Sequence, residues 1–344
     1  MCSLPTETVF VGLDYHSESV QMCVLQRSGQ MVLNRSCRND WRAVAAVVRE
    51  KLGPQVHVQA AMESCCGAAS LADELIAQAG WSVDLAHAGY VARIKQSPDK
   101  TDYSDARLLA DLERVGYLPR VWLAPEEVRE LRRLVRYRQS LANERRNLKL
   151  QIGAALREAR QRPPAGTNPW TQAWLVWLTK TAVLSPNARL ITQRRLKRLT
   201  TLFKEIASME RLLARQTAQD PLVQKLQTLK GIGLVTAVTL RAEIGRFDRF
   251  RTGKQLARFC GLSPRNASSG QRQSDAGVIQ AGKPELRAIL VEAAHRLIHH
   301  DERWTKLAGQ LRQRGKPVNV TISAVANRWV RWLFHQMQPR QLAA

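Results

Sequence analysis

Thr8-Val9-Phe10-Val11-Gly12-Leu13-Asp14 is an apolar run that stops on a carboxylate. It reads as a buried strand with Asp14 at its end. Ser19–Leu25 is expected as a second strand, and Arg27-Ser28-Gly29-Gln30 turns it into a third, Met31–Asn34. A helix is expected from about Asp40 to Lys51, with Trp41, Val44, Val47 and Val48 on its apolar side. Val56–Met62 then forms a strand ending at Glu63, Ala68–Ala79 a helix, and Ser82–Ala86 a short strand.

Three hairpin-linked strands followed by strand–helix alternation is the order of a ribonuclease H-like sheet. In that order the first and fourth strands are neighbours, so Asp14 and Glu63 stand side by side at one edge. Lys100-Thr101-Asp102-Tyr103-Ser104-Asp105-Ala106 adds two carboxylates three residues apart, after a basic run-up of Arg93, Lys95 and Lys100. From Asp105 onward, Ala106, Leu108, Leu109, Ala110 and Leu112 supply the apolar stripe of a helix. Asp102 sits where an N-cap would sit, and the pair shares one face of the first turn. Carboxylates held that close repel unless positive charge lies between them, and a divalent metal is the usual answer. Taken alone, the stretch is an ordinary capped helix start. With Asp14 and Glu63 facing it, four acids converge by topology.

The chain of 344 residues is too long for one ordinary core, so two or three domains are expected. Its 53 lysines and arginines against 29 acids give a net charge of +24, which points to a polyanionic partner. No apolar run is long enough for a bilayer and no signal-peptide pattern opens the chain, so a cytoplasmic, nucleoid-associated protein is expected, with nucleic acid as partner and no membrane. The six cysteines (Cys2, Cys23, Cys37, Cys65, Cys66 and Cys260) show no CxxC spacing and read as reduced thiols.

After Trp122–Pro125, a long helix is expected from Glu126 to about Arg162. Leu131, Leu134, Leu141, Leu148 and Ile152 fall on a heptad spacing, with Arg138 and Arg145 at seam positions. This is either an amphipathic hairpin helix or a dimerising coiled coil with a basic outer face. Residues 160–169 read as a linker. Trp170, Trp174 and Trp177 recur at helical spacing and read as packing. A second basic helix, about 187–219, carries Leu196, Leu199, Phe203, Ile206 and Leu213 and could pair antiparallel with the first. Both seams are long for the domains they join, which favours a partner from another chain.

Lys230-Gly231-Ile232-Gly233 between two helices is a helix-hairpin-helix signature whose backbone N–H groups can hold a DNA phosphate, although a Gly-x-Gly turn can simply join two helices. Gly261-Leu262-Ser263-Pro264-Arg265-Asn266-Ala267-Ser268-Ser269-Gly270, with Arg272 beyond, is a hydroxyl-rich loop flanked by arginines. It is a solvated turn or the seat of a phosphoryl-transfer nucleophile. Helices over Lys283–His300 and Val318–Gln336 close the chain. His295 and His299, with no third ligand in view, read as packing or surface residues.

Gly12-Leu13-Asp14, Met62-Glu63-Ser64, Lys100–Ala106, Leu229–Gly233 and Gly261–Pro264 with Ser268-Ser269-Gly270, in that order, resemble the DEDD transposases of the IS110 family of insertion sequences. The resemblance covers nearly the whole chain. It implies an N-terminal RuvC-like domain (1–122), coiled-coil helices (123–220) and a C-terminal helical transposase domain (221–344). By position it makes Asp14, Glu63, Asp102 and Asp105 a Mg²⁺-binding catalytic tetrad and Ser269 a nucleophile. Lys100, Arg138, Arg145, Lys230, Gly231, Gly233, Arg265 and Arg272 would contact nucleic acid. It further implies donor and target DNA, a structured non-coding guide RNA, and a homodimer or a tetramer formed by paired dimers, with each catalytic site shared between protomers. Two features depart from many relatives: Gly67 follows Glu63 one residue later than usual, and Ser268 doubles the serine. A metal-dependent junction nuclease, needing the acids but not Ser269, and a non-catalytic nucleic-acid-binding protein are the alternative readings.

Overall fold

The computed structural model describes residues 7–95, 101–266, 275–279 and 282–338. Lys100, Ser268, Ser269, Gly270 and Arg272 lie outside the described residues. The chain divides into two compact units, Met1–Ala124 and Pro125–Ala344.

The first unit runs β1 (Thr8–Tyr15), β2 (Ser19–Leu25), β3 (Met31–Arg38), α1 (Trp41–Leu52), β4 (His57–Glu63), α2 (Ala68–Ala79), β5 (Ser82–Ala86), α3 (Ala88–Ile94), α4 (Asp102–Arg114) and β6 (Arg120–Val121). The sheet order is β3-β2-β1-β4-β5-β6. β1 pairs antiparallel with β2 and parallel with β4, and Leu13 stands opposite Met62. The expected neighbourhood of the first and fourth strands is therefore present. β3 runs four residues further than expected, to Arg38.

Side chains alternate across this sheet. Val9, Val11 and Leu13 join Met22, Met62 and the apolar sides of α1 and α2 in one core. The opposite face is covered by α4. There Cys23 and Leu25 pack on Ala106 and Ala110, and Ala61 and Ala86 on Leu109 and Leu112. Gly12 lies on that second face. A Cβ there would sit 1.9 Å from the Ala106 carbonyl oxygen and 2.5 Å from the Ala110 nitrogen. The absent side chain at Gly12 and the small ones at Ala106 and Ala110 bring the helix down onto the strand backbone.

The second unit is mostly helical: α5 (Glu126–Glu158), α6 (Gln172–Lys180), α7 (Pro186–Gln216), α8 (Pro221–Gln227), α9 (Leu234–Ile244), α10 (Gly253–Phe259), a hairpin of β7 (Pro264–Asn266) and β8 (Asp275–Val278), then α11 (Pro284–His300), α12 (Glu302–Gln313) and α13 (Val318–Met337). α5 and α7 bury their heptad residues against each other and their own neighbours. Leu141 meets Leu202 and Ile206, Leu131 and Val135 meet Leu213 and α9, and Ile152 and Leu199 meet Trp174 and Trp177. Arg138 to Glu210 at 2.5 Å and Arg198 to Glu144 at 2.8 Å add ion pairs between the two helices. The antiparallel pairing of the two helices, one of the arrangements the sequence left open, is present within the chain. The connection through α6 is long enough to return α7 along α5, and the seam closes within one chain. The tryptophans pack as expected, with ring centroids of Trp170 and Trp174 at 4.5 Å. His295 and His299 lie ring against ring at 5.3 Å on the exposed side of α11.

α9 is buried nearly all round, in the core that also holds α10, α11 and α13. Its N-cap is Gly233, with no side-chain cap, and Gly231 adopts φ +79° against Leu297. No helix of the described residues is long and apolar enough to cross a membrane.

Candidate active site

Asp14 and Glu63 each follow directly on the Leu13–Met62 pair at the C-terminal ends of parallel neighbours. Because Leu13 and Met62 both point into the α1/α2 core, alternation turns Asp14 and Glu63 to the other face. That is the face α4 covers, and α4 begins with Asp102 and Asp105 in its first turn. Strand register and helix periodicity thus direct all four acids to one corner of the sheet.

The helix start differs from expectation in one respect. Thr101, not Asp102, is the N-cap, and the helix begins at Asp102 rather than Asp105. The Thr101 hydroxyl accepts from the Ser104 N–H at 3.2 Å while the Thr101 N–H donates to Ser104 Oγ at 3.4 Å. This reciprocal cap frees the Asp102 carboxylate from capping and leaves it available at the corner.

Among the described residues, Asp14, His16 and Asp102 offer ligand atoms all within 4.8 Å of one another. His16 Nε2 lies 3.3 Å from Asp14 Oδ2 and 3.3 Å from Asp102 Oδ2, so the imidazole bridges the two carboxylates. Lys95 reaches the Asp105 carboxylate, and both side chains are largely shielded from solvent. Burial pushes the Asp14 carboxyl above its ordinary range. His16 works against that shift, and the like charges of Asp102 and Asp105 reinforce it. His16 and Lys95 were not singled out as site residues in the sequence. His16 stands two positions after Asp14, and that spacing was the available signal.

The donor set suits a small hard cation. The carboxylates of Asp14 and Asp102, whose oxygens lie within 4.8 Å of each other, are donors of the kind a divalent cation takes. Asp14 and Asp102 would hold it, with Glu63 and Asp105 directed to the same corner. Gly67, at φ +90°, abuts the Tyr15 ring, where a Cβ would meet the phenol oxygen at 2.0 Å. The later glycine after Glu63 therefore has a packing role beside the site.

The remaining nucleic-acid candidates are dispersed through the second unit. Arg138 is engaged with Glu210, and Arg145 lies 5.3 Å from the Phe203 ring. Lys230 is exposed beside Gly231 and Gly233 before α9, and Arg265 is exposed on β7.

A family model described as "Transposase IS116/IS110/IS902 family" matches residues 223–310, and the IS110-type DEDD model, described as "Transposase", matches residues 11–160. A "Probable family 20 transposase" of Pseudomonas aeruginosa is 30% identical over 338 residues, covering 94% of this chain and 95% of that protein. The chain belongs to the IS110 family of transposases. Other relatives are the transposase of insertion element IS1111A from Coxiella burnetii, 25% identical over 92% of this chain and 86% of its own length, and that of IS1328 from Yersinia enterocolitica, 29% identical over 79% and 81%. As an IS110-family member the chain is a DNA transposase, an enzyme of phosphoryl transfer. The four acids fall inside the DEDD match and the Ser269 loop inside the other.

Proposed function

We propose that this transposase cuts and rejoins DNA using Mg²⁺ held by Asp14, Glu63, Asp102 and Asp105, with Ser269 as nucleophile and a structured RNA as guide. The observation that carries the reading is the shared direction of the four acids, set by the Leu13–Met62 register and the first turn of α4. When bound, Mg²⁺ neutralises charge at the scissile phosphate. Asp14 and Asp102 would hold the ion, with Asp105, paired to Lys95, and Glu63, at the end of the neighbouring strand β4, directed to the same corner.

In this reading Ser269 Oγ attacks phosphorus. An Oγ–P bond forms as the bond to one strand end breaks, and that oxygen leaves as a hydroxyl after gaining a proton. Attack by a strand-end hydroxyl reverses the step, reseals DNA and returns the serine, with no high-energy cofactor needed. Arg265 or Arg272 stabilises the phosphorane charge. The uncapped first turn of α9 with Lys230 holds a phosphate, and the basic surface, net +24, serves DNA and RNA together. A homodimer, or a tetramer of two paired dimers, brings the acids of one protomer to the serine of another. The internally closed α5–α7 seam gives no support to that assembly, which rests on the family resemblance.

Replacing Asp102 by Asn should abolish strand exchange and leave nucleic-acid binding largely intact. Ser269→Ala should also remove the covalent protein–DNA adduct on denaturing gels. Loss of the adduct in Ser268→Ala alone would move the nucleophile by one residue, and wild-type cleavage with no adduct would favour the junction-nuclease reading.

A further inference from the structure

An open cavity of about 430 Å³ lies beside α3 and the turn after α4, lined chiefly by Tyr90, Arg93, Ile94, Gly116, Tyr117 and Pro119. Tyr90 is 47% exposed and Tyr117 70%, unusually open positions for two rings facing one groove. Neither ring hangs on a loose chain. His87 packs edge-on to Tyr90 at a centroid distance of 4.8 Å, and the Arg93 guanidinium lies 5.8 Å from the same ring. Tyr117 follows Gly116, which takes φ +70° and closes α4, and the Tyr117 N–H donates to the Leu112 carbonyl at 2.9 Å. Leu118 is buried behind it. The lining carries one formal charge, the Arg93 cation, and no carboxylate.

We propose that this groove binds unpaired nucleotides of the strand that passes the carboxylate site. Fixed, exposed aromatic faces beside a cation are the chemistry that holds single-stranded nucleic acid, because every base has a face to stack. Duplex bases are already stacked and do not fit. The groove and the acidic corner share α3 and α4. Arg93 and Ile94 end α3, and the next residue, Lys95, pairs with Asp105. α4, of 13 residues, runs from Asp102 to the groove and is about 20 Å long, a reach of about six nucleotides at 3.4 Å each. Only the direction of the strand rests on reading the four acids as the cutting site. The affinity for unpaired bases does not.

The test uses the full-length protein and fluorescein-labelled oligothymidine and oligouridine of about eight nucleotides, with a duplex of equal length as control. A Tyr90→Ala/Tyr117→Ala variant should lose about tenfold or more in single-strand affinity, while duplex affinity stays within about twofold and the Tyr90→Phe/Tyr117→Phe variant matches wild type. Loss for DNA only assigns the groove to a DNA strand, and loss for RNA only to an RNA strand. On the unaltered protein, photo-crosslinking with iodouracil-substituted strands should place adducts on Tyr90 or Tyr117. The Asp102→Asn protein should crosslink equally well whatever happens to strand exchange, which separates failure of the groove from failure of the cutting site. Unchanged single-strand affinity in the alanine variant, with adducts elsewhere, overturns the proposal. If that variant instead changes only its sedimentation, the groove is a contact between chains and the proposal is also overturned.

Discussion

Gly12 of β1 and Ala106 of α4 meet backbone to backbone: a Cβ on Gly12 would lie 1.9 Å from the Ala106 carbonyl oxygen. This contact seats the helix that carries Asp102 and Asp105 on the strand that carries Asp14. Gly12→Ala has no flexible side chain to push aside, so α4 must lift. Overpacking of a closed contact costs about 1–3 kcal/mol or more. The melting temperature of the first unit should fall by several degrees, about 4 °C per kcal/mol for a unit of this size, and strand exchange should fall with it. A Gly12→Ala protein with wild-type melting and activity would mean that α4 is not seated through this contact.

Asp14 predicts a pH dependence. Burial favours its neutral form, so the folded chain keeps this proton to higher pH than the unfolded chain. The resulting contribution to stability is present below the ordinary value of 3.8 and is lost as pH rises through the raised folded value. In chelator-treated protein, Asp14→Asn should therefore gain stability over wild type as pH rises through that window. Cation binding needs the carboxylate, so metal-dependent cleavage should fail on the acid side before an ordinary aspartate would protonate. Parallel melting curves of the two proteins across pH would contradict this.

Glu243 on α9 is 6% exposed and is surrounded by cations. Arg136 Nε lies 2.8 Å from Oε1, Lys283 donates to Oε2, and Arg132 Nε stands 3.7 Å away. The carboxylate ties α5 to α9 and to the start of α11. Glu243→Ala leaves three cations uncompensated. Breaking a buried pair costs about 3–5 kcal/mol, and the partial exposure of Arg136 and Lys283 lowers the expectation here to about 2–3 kcal/mol. Urea titration of the variant checks this, and Glu243→Gln should lose less because it keeps an acceptor.

A shared catalytic site predicts complementation. A mixture of Asp102→Asn chains with Ser269→Ala chains should regain part of wild-type recombination, because one composite site per mixed dimer draws both intact halves together. If the mixture stays inactive while wild-type subunits exchange freely, each site is built within one chain.

Much of the first unit could be read in advance. Asp14 and Glu63 end apolar runs, and strand order alone makes those runs neighbours. The bridging His16 was legible in principle, two residues beyond Asp14, yet its contact with Asp102 depends on how far α4 is lowered onto Gly12. Thr101 was missed as the cap because Asp102 is an equally good capping residue one position later, and local propensity does not choose between them. The heptads of α5 and α7 specified an apolar seam but not its partner. Leu141 and Leu202 satisfy it as well within a chain as between chains.

The most direct test of the central claim is a manganese-soaked crystal measured at an anomalous wavelength. A metal held by the four acids should give a peak about 2.0–2.2 Å from carboxylate oxygens of Asp14 and Asp102, with Glu63 and Asp105 around the same ion or a second one beside it, and no peak in Asp102→Asn crystals. A wild-type crystal with no peak at a manganese concentration that supports cleavage, or with Glu63 more than about 10 Å from Asp14, would contradict it.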